Sequence, residues 1–275
     1  MIKVIITTNF TESARNAMVY AANLFGVENT QYYIMNTFID MPTRNDGLLS
    51  VEQISDRREN KRLKEEVEFL KNQFPNQNIV VKSKSVYGQL VPAINSLVKE
   101  IAAQYVVIGN KSKYDFDAGM LRAKTYEMIG KIECPVLAVP ENRPWFPGEG
   151  GLIFASDLQT IKKPDHLEPL VRIANQHQVP VMVINIKKPE TAASAEEEKA
   201  DTQLSHIFGS TKHEMHKLED ADVLNGINKF VESHGNSLLV LLARKQNLFQ
   251  RLTQQSVTQK MSKLANLPLL ILHDY

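Results

Sequence analysis

Residues 100–112, EIAAQYVVIGNKS, have a counterpart in residues 232–246, ESHGNSLLVLLARKQ. Each of these stretches is followed by a similar closing run, IECPVLAVP at 132–140 and ANLPLLILH at 265–273. Three pairs of residues lie 133 positions apart without a gap: Gly109 and Leu242, Ile94 and Ile227, and Pro135 and Pro268. An internal repeat decides the architecture before any single motif does. This repeat is about one domain long, so it predicts two similar domains in tandem.

The start of each copy repeats as well. IKVIITTNF at 2–10 corresponds to GLIFASDL at 151–158, and this alignment places Asn9 opposite Asp157, 148 positions away. The two spacings differ by 15 residues, which we interpret as extra loop in the first copy. The boundaries that follow are a first domain at 1–141, a linker rich in proline and glycine at 142–151, and a second domain at 152–275.

Composition excludes several classes of protein. The chain has 275 residues, of which 43% are hydrophobic, and this is enough for two cores. Its formal net charge of +1 argues against a nucleic-acid partner. A single cysteine, Cys134, allows no intramolecular disulfide. The sequence contains no run of eighteen apolar residues, so no membrane span is predicted. Because MIKVIITT also lacks the form of a signal peptide, we expect a soluble cytoplasmic protein without a membrane partner.

Strand patterns alternate with helix patterns in both copies, which predicts doubly wound α/β domains with mainly parallel five-stranded sheets. The predicted strands of the first copy are Ile2–Thr8, Gln31–Phe38, Ile79–Ser85, Tyr105–Ile108 and Pro135–Val139. Those of the second are Leu152–Ala155, Val181–Ile186, His213–Lys217, Leu238–Leu242 and Leu269–Leu272. The predicted helices of the first copy run from Thr11 or Ser13 to Phe25, and over Arg57–Gln73, Val91–Ala103 and Tyr126–Ile132. Thr191–Thr202 is either a frayed helix or a surface loop, and Asp40–Ser50 is predicted to be loop.

The residues that follow the strands are the candidates for a ligand site, because open parallel sheets bind ligands at the carboxyl ends of their strands. After the fourth strand come Gly109-Asn110-Lys111-Ser112, then nine residues, then Arg122-Ala123. With these residues, the strand ends TTNF and ASDL, the turn VVIG and the closing runs CPVLAVP and LPLLILH, the chain resembles the universal stress protein family over nearly its whole length.

The resemblance implies two adenine-nucleotide alpha-hydrolase-like domains. It also implies that the closing strands pair, so that the chain forms an intrachain pseudo-dimer. Family members that bind ATP carry Gly-x-x-Gly, a nine-residue spacer and Gly-Ser or Gly-Thr, with an aspartate after the first strand. Glycines let backbone amides approach phosphate, and the hydroxyl residue opens a helix whose N-terminus favours anions.

This sequence keeps the spacing of that pattern and loses most of its chemistry. In the first copy the pattern reads Gly109 to Ser112 and then Arg122-Ala123, and Asn9 stands at the aspartate position. In the second copy it reads Leu242-Ala243-Arg244-Lys245 and then Gln255-Ser256, with Asp157 retained. The candidate nucleotide-binding residues are Thr8, Asn9, Asn36, Gly109, Asn110, Ser112, Asp157, Asn185 and Ser256.

Several of these residues have a structural interpretation beside the functional one. Asp157 and Asn9 either hold ligand hydroxyls or bond to nearby backbone amides. Ser256 either bonds a phosphate or is the N-cap of the last helix. Asn36 and Asn185 end the second strand of each copy, and either line the crevice or satisfy loop backbone groups.

No metal site or catalytic motif stands out. His213 and His216 have strand spacing that places them on opposite faces, and His206 would join them only if the chain folds back. Cys134 precedes an apolar strand and is expected to be buried and inert. The charged face of the helix over Arg57–Lys71 is expected to be solvated.

Three functions remain open. The first is a non-catalytic cytoplasmic stress-response or regulatory protein with degenerate nucleotide sites, which acts on protein partners. The second is a stress protein that binds ATP or AMP at one retained site. The third is a nucleotide-processing enzyme on the same scaffold. A further homodimer is compatible with each of the three.

Overall fold

A computed structural model describes residues 1–39, 51–110, 129–144, 151–187, 195–243 and 267–273. The chain divides into two compact units, which contain strands β1–β5 and β6–β10. The elements of the first unit are β1 Ile2–Thr7, α1 Glu12–Phe25, β2 Thr30–Phe38, α2 Val51–Asn72, β3 Val80–Tyr87, α3 Leu90–Ile101, β4 Tyr105–Asn110 and β5 Val136–Pro140. Those of the second are β6 Leu152–Ala155, a 3₁₀ helix Pro164–Leu167, α4 Glu168–His177, β7 Val181–Lys187, α5 Ala195–Phe208, β8 His213–Glu219, α6 Val223–Glu232, β9 Leu238–Ala243 and β10 Leu269–His273.

The first sheet has the strand order β3-β2-β1-β4-β5, and every neighbouring pair in it is parallel. The second has the order β8-β7-β6-β9-β10, again with parallel pairs throughout. Both units are therefore doubly wound α/β units, as the sequence predicts. In both, the strand order reverses next to the first strand of the unit. The carboxyl ends of β1 and β4, and those of β6 and β9, are thus the places where such sheets bind ligands.

Central strands form the core because both of their faces are covered by helices. Val4, Ile5 and Ile6 of β1 are fully buried, and β9 is buried along its whole length. Helix α1 begins at its cap residue Thr11, whose hydroxyl oxygen accepts a bond of 3.4 Å from the amide of Ala14. The helix packs on the sheet with small residues, of which Ala14, Ala17 and Ala21 are buried.

The structure corrects the prediction for helix α2, and it chooses between the two alternatives for Thr191–Thr202. Helix α2 is not simply solvated on its charged side, because Glu66 is only 2% exposed. The Glu66 carboxylate accepts three hydrogen bonds from the guanidinium of Arg15, at 3.0–3.3 Å. The region that was either frayed helix or loop forms α5 from Ala195 onward. The loop expected at 40–50 lies outside the described residues, and so do residues 126–128 of the helix expected at 126–132. Within the described remainder of that helix, Ile129 is helical, whereas the helix has ended by 130–132, so the predicted end is too late.

Candidate functional site

The chain leaves β1 through a tight turn that holds two of the candidate residues. The amide of Thr8 donates to the carbonyl oxygen of Met35 at 2.8 Å, which extends the sheet by one bond. The Thr8 hydroxyl oxygen then accepts a bond of 2.9 Å from the amide of Phe10. Phe10 has a φ of 62°, a left-handed conformation that is uncommon for a bulky residue. The hydroxyl of Thr8 therefore stabilises a turn that the backbone alone disfavours.

The second unit repeats this turn after β6. The amide of Ser156 donates to the carbonyl oxygen of Ile184 at 2.9 Å, and the hydroxyl oxygen of Ser156 accepts from the amide of Leu158 at 3.1 Å. Leu158 has a φ of 50°. The hydroxyls of Thr8 and Ser156 thus stabilise the same turn in the two copies, each by accepting a bond from the amide two residues later.

Asn36 and Asn185 tie these turns to the second strand of each unit. The side-chain Nδ2 of Asn36 donates to the carbonyl oxygen of Thr8 at 2.8 Å, and that of Asn185 donates to Ser156 at 3.0 Å. Both residues are buried, at 7% and 6% exposure. Their Oδ1 atoms are buried as well, and neither has a hydrogen-bond partner. The same oxygen is therefore left unsatisfied in both copies, and buried polar atoms in that condition are rare.

Asn9 and Asp157, at the position of the family's aspartate, both make local bonds. The Oδ1 of Asn9 accepts from the hydroxyl of Thr11 at 2.7 Å, and Asn9 is exposed. The Oδ1 of Asp157 accepts from the amide of Gln159 at 3.3 Å. Asp157 is partly exposed, so its carboxylate also faces solvent at the carboxyl end of β6. At this position the second unit therefore carries a carboxylate where the first carries a neutral amide.

Gly109 is explained by packing within the first unit. A Cβ atom placed on it would lie 2.6 Å from the carbonyl oxygen of Ser13, 2.8 Å from that residue's carbonyl carbon and 3.0 Å from Cα of Ala14. All three atoms belong to the backbone of α1, which cannot yield as a flexible side chain can. The glycine is therefore required where β4 meets the first turn of α1, whether or not a ligand is bound.

The second unit has no helix at the corresponding place. The chain between Ala155 and Pro164 is irregular, and helical structure begins only with the 3₁₀ helix. Leu242 replaces the glycine and is buried at 7% exposure. Ile161 stands where the repeat places Ser13, and Gln203 of α5 bonds both backbone groups of Ile161 at 2.8 Å. Because no helix begins between Ala155 and Pro164, the second unit lacks the close helix approach that requires glycine in the first.

The remaining candidates contribute less. Asn110 is buried at the end of β4, and its carbonyl oxygen accepts from the amide of Glu141 at 3.1 Å. Ser112 and Ser256 lie outside the described residues, as do Arg122, Ala123, Arg244, Lys245 and Gln255. The residues that the structure places together in the first unit are thus Thr8, Asn9, Asn36, Gly109 and Asn110, and none of them is charged.

Two polar groups at this end of the first unit were not predicted from the sequence. Ser85 of β3 lies beside Asn36 in the register of the sheet, and Ser13 lies over Gly109. Their hydroxyl oxygens are buried without a hydrogen-bond partner. No local motif marks these serines, because only the alignment of β2 with β3 and of α1 with β4 brings Ser85 beside Asn36 and Ser13 over Gly109.

The histidines and the cysteine have structural contacts. The ring of His213 packs against Phe208 of α5, with 5.2 Å between the ring centroids, whereas that of His216 packs against Phe230 of α6 at 5.0 Å. Within the described parts of the chain, no group of three or more His, Cys, Asp or Glu side chains could hold a metal ion. Burial raises the pKa of the Cys134 thiol to about 12. Burial also lowers the pKa of His273 to about 4, with a smaller contribution from His166.

Fold and crevice together define two doubly wound α/β units, each with the strand order at which open parallel sheets bind ligands. The pattern that describes the universal stress protein family matches residues 1–140 and 167–273. The chain belongs to the universal stress protein family, and it does so as a tandem member.

Solved structures show the same fold. The chain is similar to a universal stress protein from Archaeoglobus fulgidus, with a TM-score of 0.69 and 10% identity over 99% of this chain and 96% of that one. It is also similar to a functionally unknown protein from Pseudomonas aeruginosa, with a TM-score of 0.60 and 13% identity over 99% of this chain and 92% of the other. No curated protein matches the sequence.

None of the helices in the described ranges is both long enough and apolar enough to cross a membrane.

Proposed function

We propose that this tandem universal stress protein is a non-catalytic regulatory protein of the cytoplasm, which acts on protein partners and has lost its nucleotide sites. The observation that carries the proposal is Gly109. It is the one glycine of the family's nucleotide pattern that remains in either copy, and the carbonyl of Ser13 already occupies the space beside its Cα. Its presence therefore gives no evidence of a phosphate site.

The charges of the crevices support the same conclusion. A triphosphate needs backbone amides or cations, and the described residues of the first crevice offer only neutral side chains. In the second crevice, Leu242 and Ala243 are buried within β9, where their amides belong to the sheet. Asp157 adds a negative charge there, which favours hydroxyl groups and opposes phosphate.

The retained carboxylate supports a second candidate, in which the second unit binds the ribose of ATP or AMP through Asp157. Asp157 is partly exposed and follows Ser156, whose carbonyl oxygen accepts from Asn185. The unsatisfied Oδ1 of Asn185 would accept a further hydrogen bond. This candidate requires that the binding of ATP or AMP depend on Asp157. One experiment therefore distinguishes the two proposals.

The test is calorimetric titration of the full chain with ATP and Mg²⁺, and separately with AMP, up to millimolar concentration. Acid extraction of the purified protein first checks for nucleotide carried through purification. We expect no saturable heat and no extracted nucleotide. Saturable binding with a dissociation constant below about 0.1 mM overturns the loss of the sites. Asp157→Asn then locates the site, with Asp165→Asn, an exposed aspartate of the 3₁₀ helix, as the matched control.

Turnover is measured in the same preparation. A non-catalytic protein releases no phosphate from ATP above the buffer rate. Release that persists through repeated purification and disappears in one of the Asp variants would establish an enzyme instead.

A further inference from the structure

The repeated asparagines, Asn36 and Asn185, each keep one buried hydrogen-bond acceptor that no described residue satisfies. Their Nδ2 atoms donate to the carbonyl oxygens of Thr8 and Ser156. Because a carbonyl oxygen only accepts, these bonds fix the orientation of each amide and leave Oδ1 on its other side. Asn36 and Asn185 are 7% and 6% exposed, and both Oδ1 atoms are buried. Each oxygen therefore lacks the donor that buried polar atoms normally have.

A second unsatisfied group lies beside Asn36 in the first unit. Ser85 of β3 is the register partner of Asn36 in β2, so the two side chains lie on the same face of the sheet. Ser85 is half-buried as a residue, but its Oγ is buried and bonds neither Asn36 nor any other described residue. Neighbouring strands lie about 4.8 Å apart. A small molecule held between the two side chains can therefore bond both oxygens.

The second unit supplies a carboxylate at the same level of its sheet. Lys217 of β8 is the register partner of Asn185, and its Nζ donates to Oδ2 of Asp201 at 2.6 Å. Helix α5 runs back along these strands, because its Glu197 pairs with Lys187 and its Asp201 pairs with Lys217. The remaining oxygen of Asp201, Oδ1, is buried without a partner among the described residues. This face of the second sheet thus carries two buried acceptors, one from the strand and one from the helix.

Water is the ligand whose hydrogen-bonding capacity matches both sets of atoms, because one molecule donates two bonds and accepts two. In the second unit it would donate to the Oδ1 atoms of Asn185 and Asp201 and accept from Nζ of Lys217. In the first unit it would donate to Oδ1 of Asn36 and share a further bond with the hydroxyl of Ser85. Buried waters make about three such bonds on average. An anion would bring no donor to either asparagine.

We propose that each unit binds one internal water molecule at its repeated asparagine, through Asn36 and Ser85 in the first unit and through Asn185 and Asp201 in the second. The water links the second strand of each unit to the element that packs beside it. An amine or hydroxyl group of a ligand would take its place, since either supplies the donor that the asparagine oxygen needs. The inference rests on the buried acceptors and does not depend on the proposed regulatory function.

Oxygen-17 magnetic relaxation dispersion of water counts the internal water molecules of the full chain that exchange slowly with bulk solvent. Ser85→Val puts an apolar side chain in place of the hydroxyl, and Asp201→Leu does the same for the carboxylate. We expect each variant to hold one slowly exchanging water fewer than the parent chain, and the double variant to hold two fewer. An unchanged count in either single variant would overturn the proposal for its unit.

Two matched controls separate a lost water from a general effect of the substitution. Ser83→Val makes the same change at an exposed position of β3. Glu197→Leu removes a carboxylate that α5 pairs with Lys187 of β7, and neither oxygen of Glu197 is both buried and unsatisfied. Both controls should keep the parent count. A count lowered by one in either control would refute the assignment of the waters to the asparagine sites.

A crystal structure of the unmodified chain tests the same point without any variant. We expect a water molecule within about 2.7–3.2 Å of Oδ1 of Asn36, and another at the same distance from Oδ1 of Asn185. The proposal is wrong if either oxygen instead bonds a protein donor, as when the hydroxyl of Ser85 turns directly to Asn36. It is equally wrong if a metal ion with several oxygen ligands occupies either position.

Discussion

Gly109→Ala separates a glycine kept for packing from a glycine kept for phosphate. The new Cβ would meet the Ser13 carbonyl oxygen at 2.6 Å, a distance that side chains do not tolerate against backbone. Relief requires β4 or the first turn of α1 to shift. Overpacking of a well-packed site costs about 1–3 kcal/mol. For a unit of this size that corresponds to a fall in Tm of about 2–12 °C.

Gly151→Ala provides the comparison. The Cβ at Gly151 would meet the Cε of Met182 at 2.8 Å, which is the far end of a flexible side chain that can rotate away. Both substitutions remove the same backbone freedom from the unfolded chain. Their difference in stability therefore reports mainly the clash of the new Cβ with the backbone of α1.

The assay is thermal and urea unfolding of the two variants and the parent chain, followed by titration of each with ATP. We expect Gly109→Ala to be less stable than the parent chain. The free energy of unfolding of Gly151→Ala should remain within about 0.5 kcal/mol of the parent value. None of the three proteins should bind ATP. A Gly109→Ala protein as stable as the parent would refute the packing argument. If the parent bound ATP and this variant did not, the glycine would belong to a ligand site.

Three further predictions follow from buried groups. Glu66→Gln removes the buried carboxylate that pairs with Arg15 and should lower the free energy of unfolding by about 1–3 kcal/mol. Glu68→Gln, whose side chain is 66% exposed, should change it by less than about 0.5 kcal/mol. Equal losses in urea unfolding would contradict the burial of Glu66. The folded-state pKa of His273 is about 4, below its ordinary value of 6.5, so the unfolded chain binds the extra proton first and stability should fall as the pH drops from 6.5 to 4. The loss should be on the order of 2–3 kcal/mol and should be smaller in His273→Gln, and an unchanged pH profile in that variant would disprove the assignment. Cys134, whose thiol pKa is about 12, should resist iodoacetamide at pH 8 in the native protein and react fully in urea, so rapid native labelling followed by mass spectrometry would show that the thiol is accessible.

The sequence was sufficient for the elements and for the strand-end positions. Buried β-branched runs such as Ile2–Thr7 declare themselves locally, and alternation with helices leaves few topologies to consider. Asn36 and Asn185 could be placed at corresponding strand ends because the repeat aligns them. The contacts of the site that depend on which strands are neighbours in the sheet cannot be predicted from the sequence in the same way.

Ser13, Ser85, Glu66 and Gln203 illustrate what could not be read. Each has an unremarkable local context, and each is explained by a neighbour between 42 and 96 positions away in the sequence. Glu66 lies among charged residues on a helix whose exterior is solvated, and only the approach of Arg15 distinguishes it. A helical pattern gives the face of a residue but not the partner that the face meets.

Gly109 and Leu242 show why the loss of a glycine motif needs a structural explanation before it becomes a functional one. In the first copy, α1 begins early enough to cover the end of β4, and only glycine fits beneath it. In the second copy, the chain reaches Pro164 before any helical turn forms, and Leu242, which stands in place of the glycine, is buried. The residue type at the position of Gly109 and Leu242 therefore depends on where the first helix of the unit begins. Reintroducing glycine at Leu242 would open a cavity and would not restore a phosphate site, because the amides that such a site needs still belong to β9. The Leu242→Gly variant should accordingly have a second unit that is less stable by about 2–5 kcal/mol, because the truncation is large. It should gain no affinity for ATP.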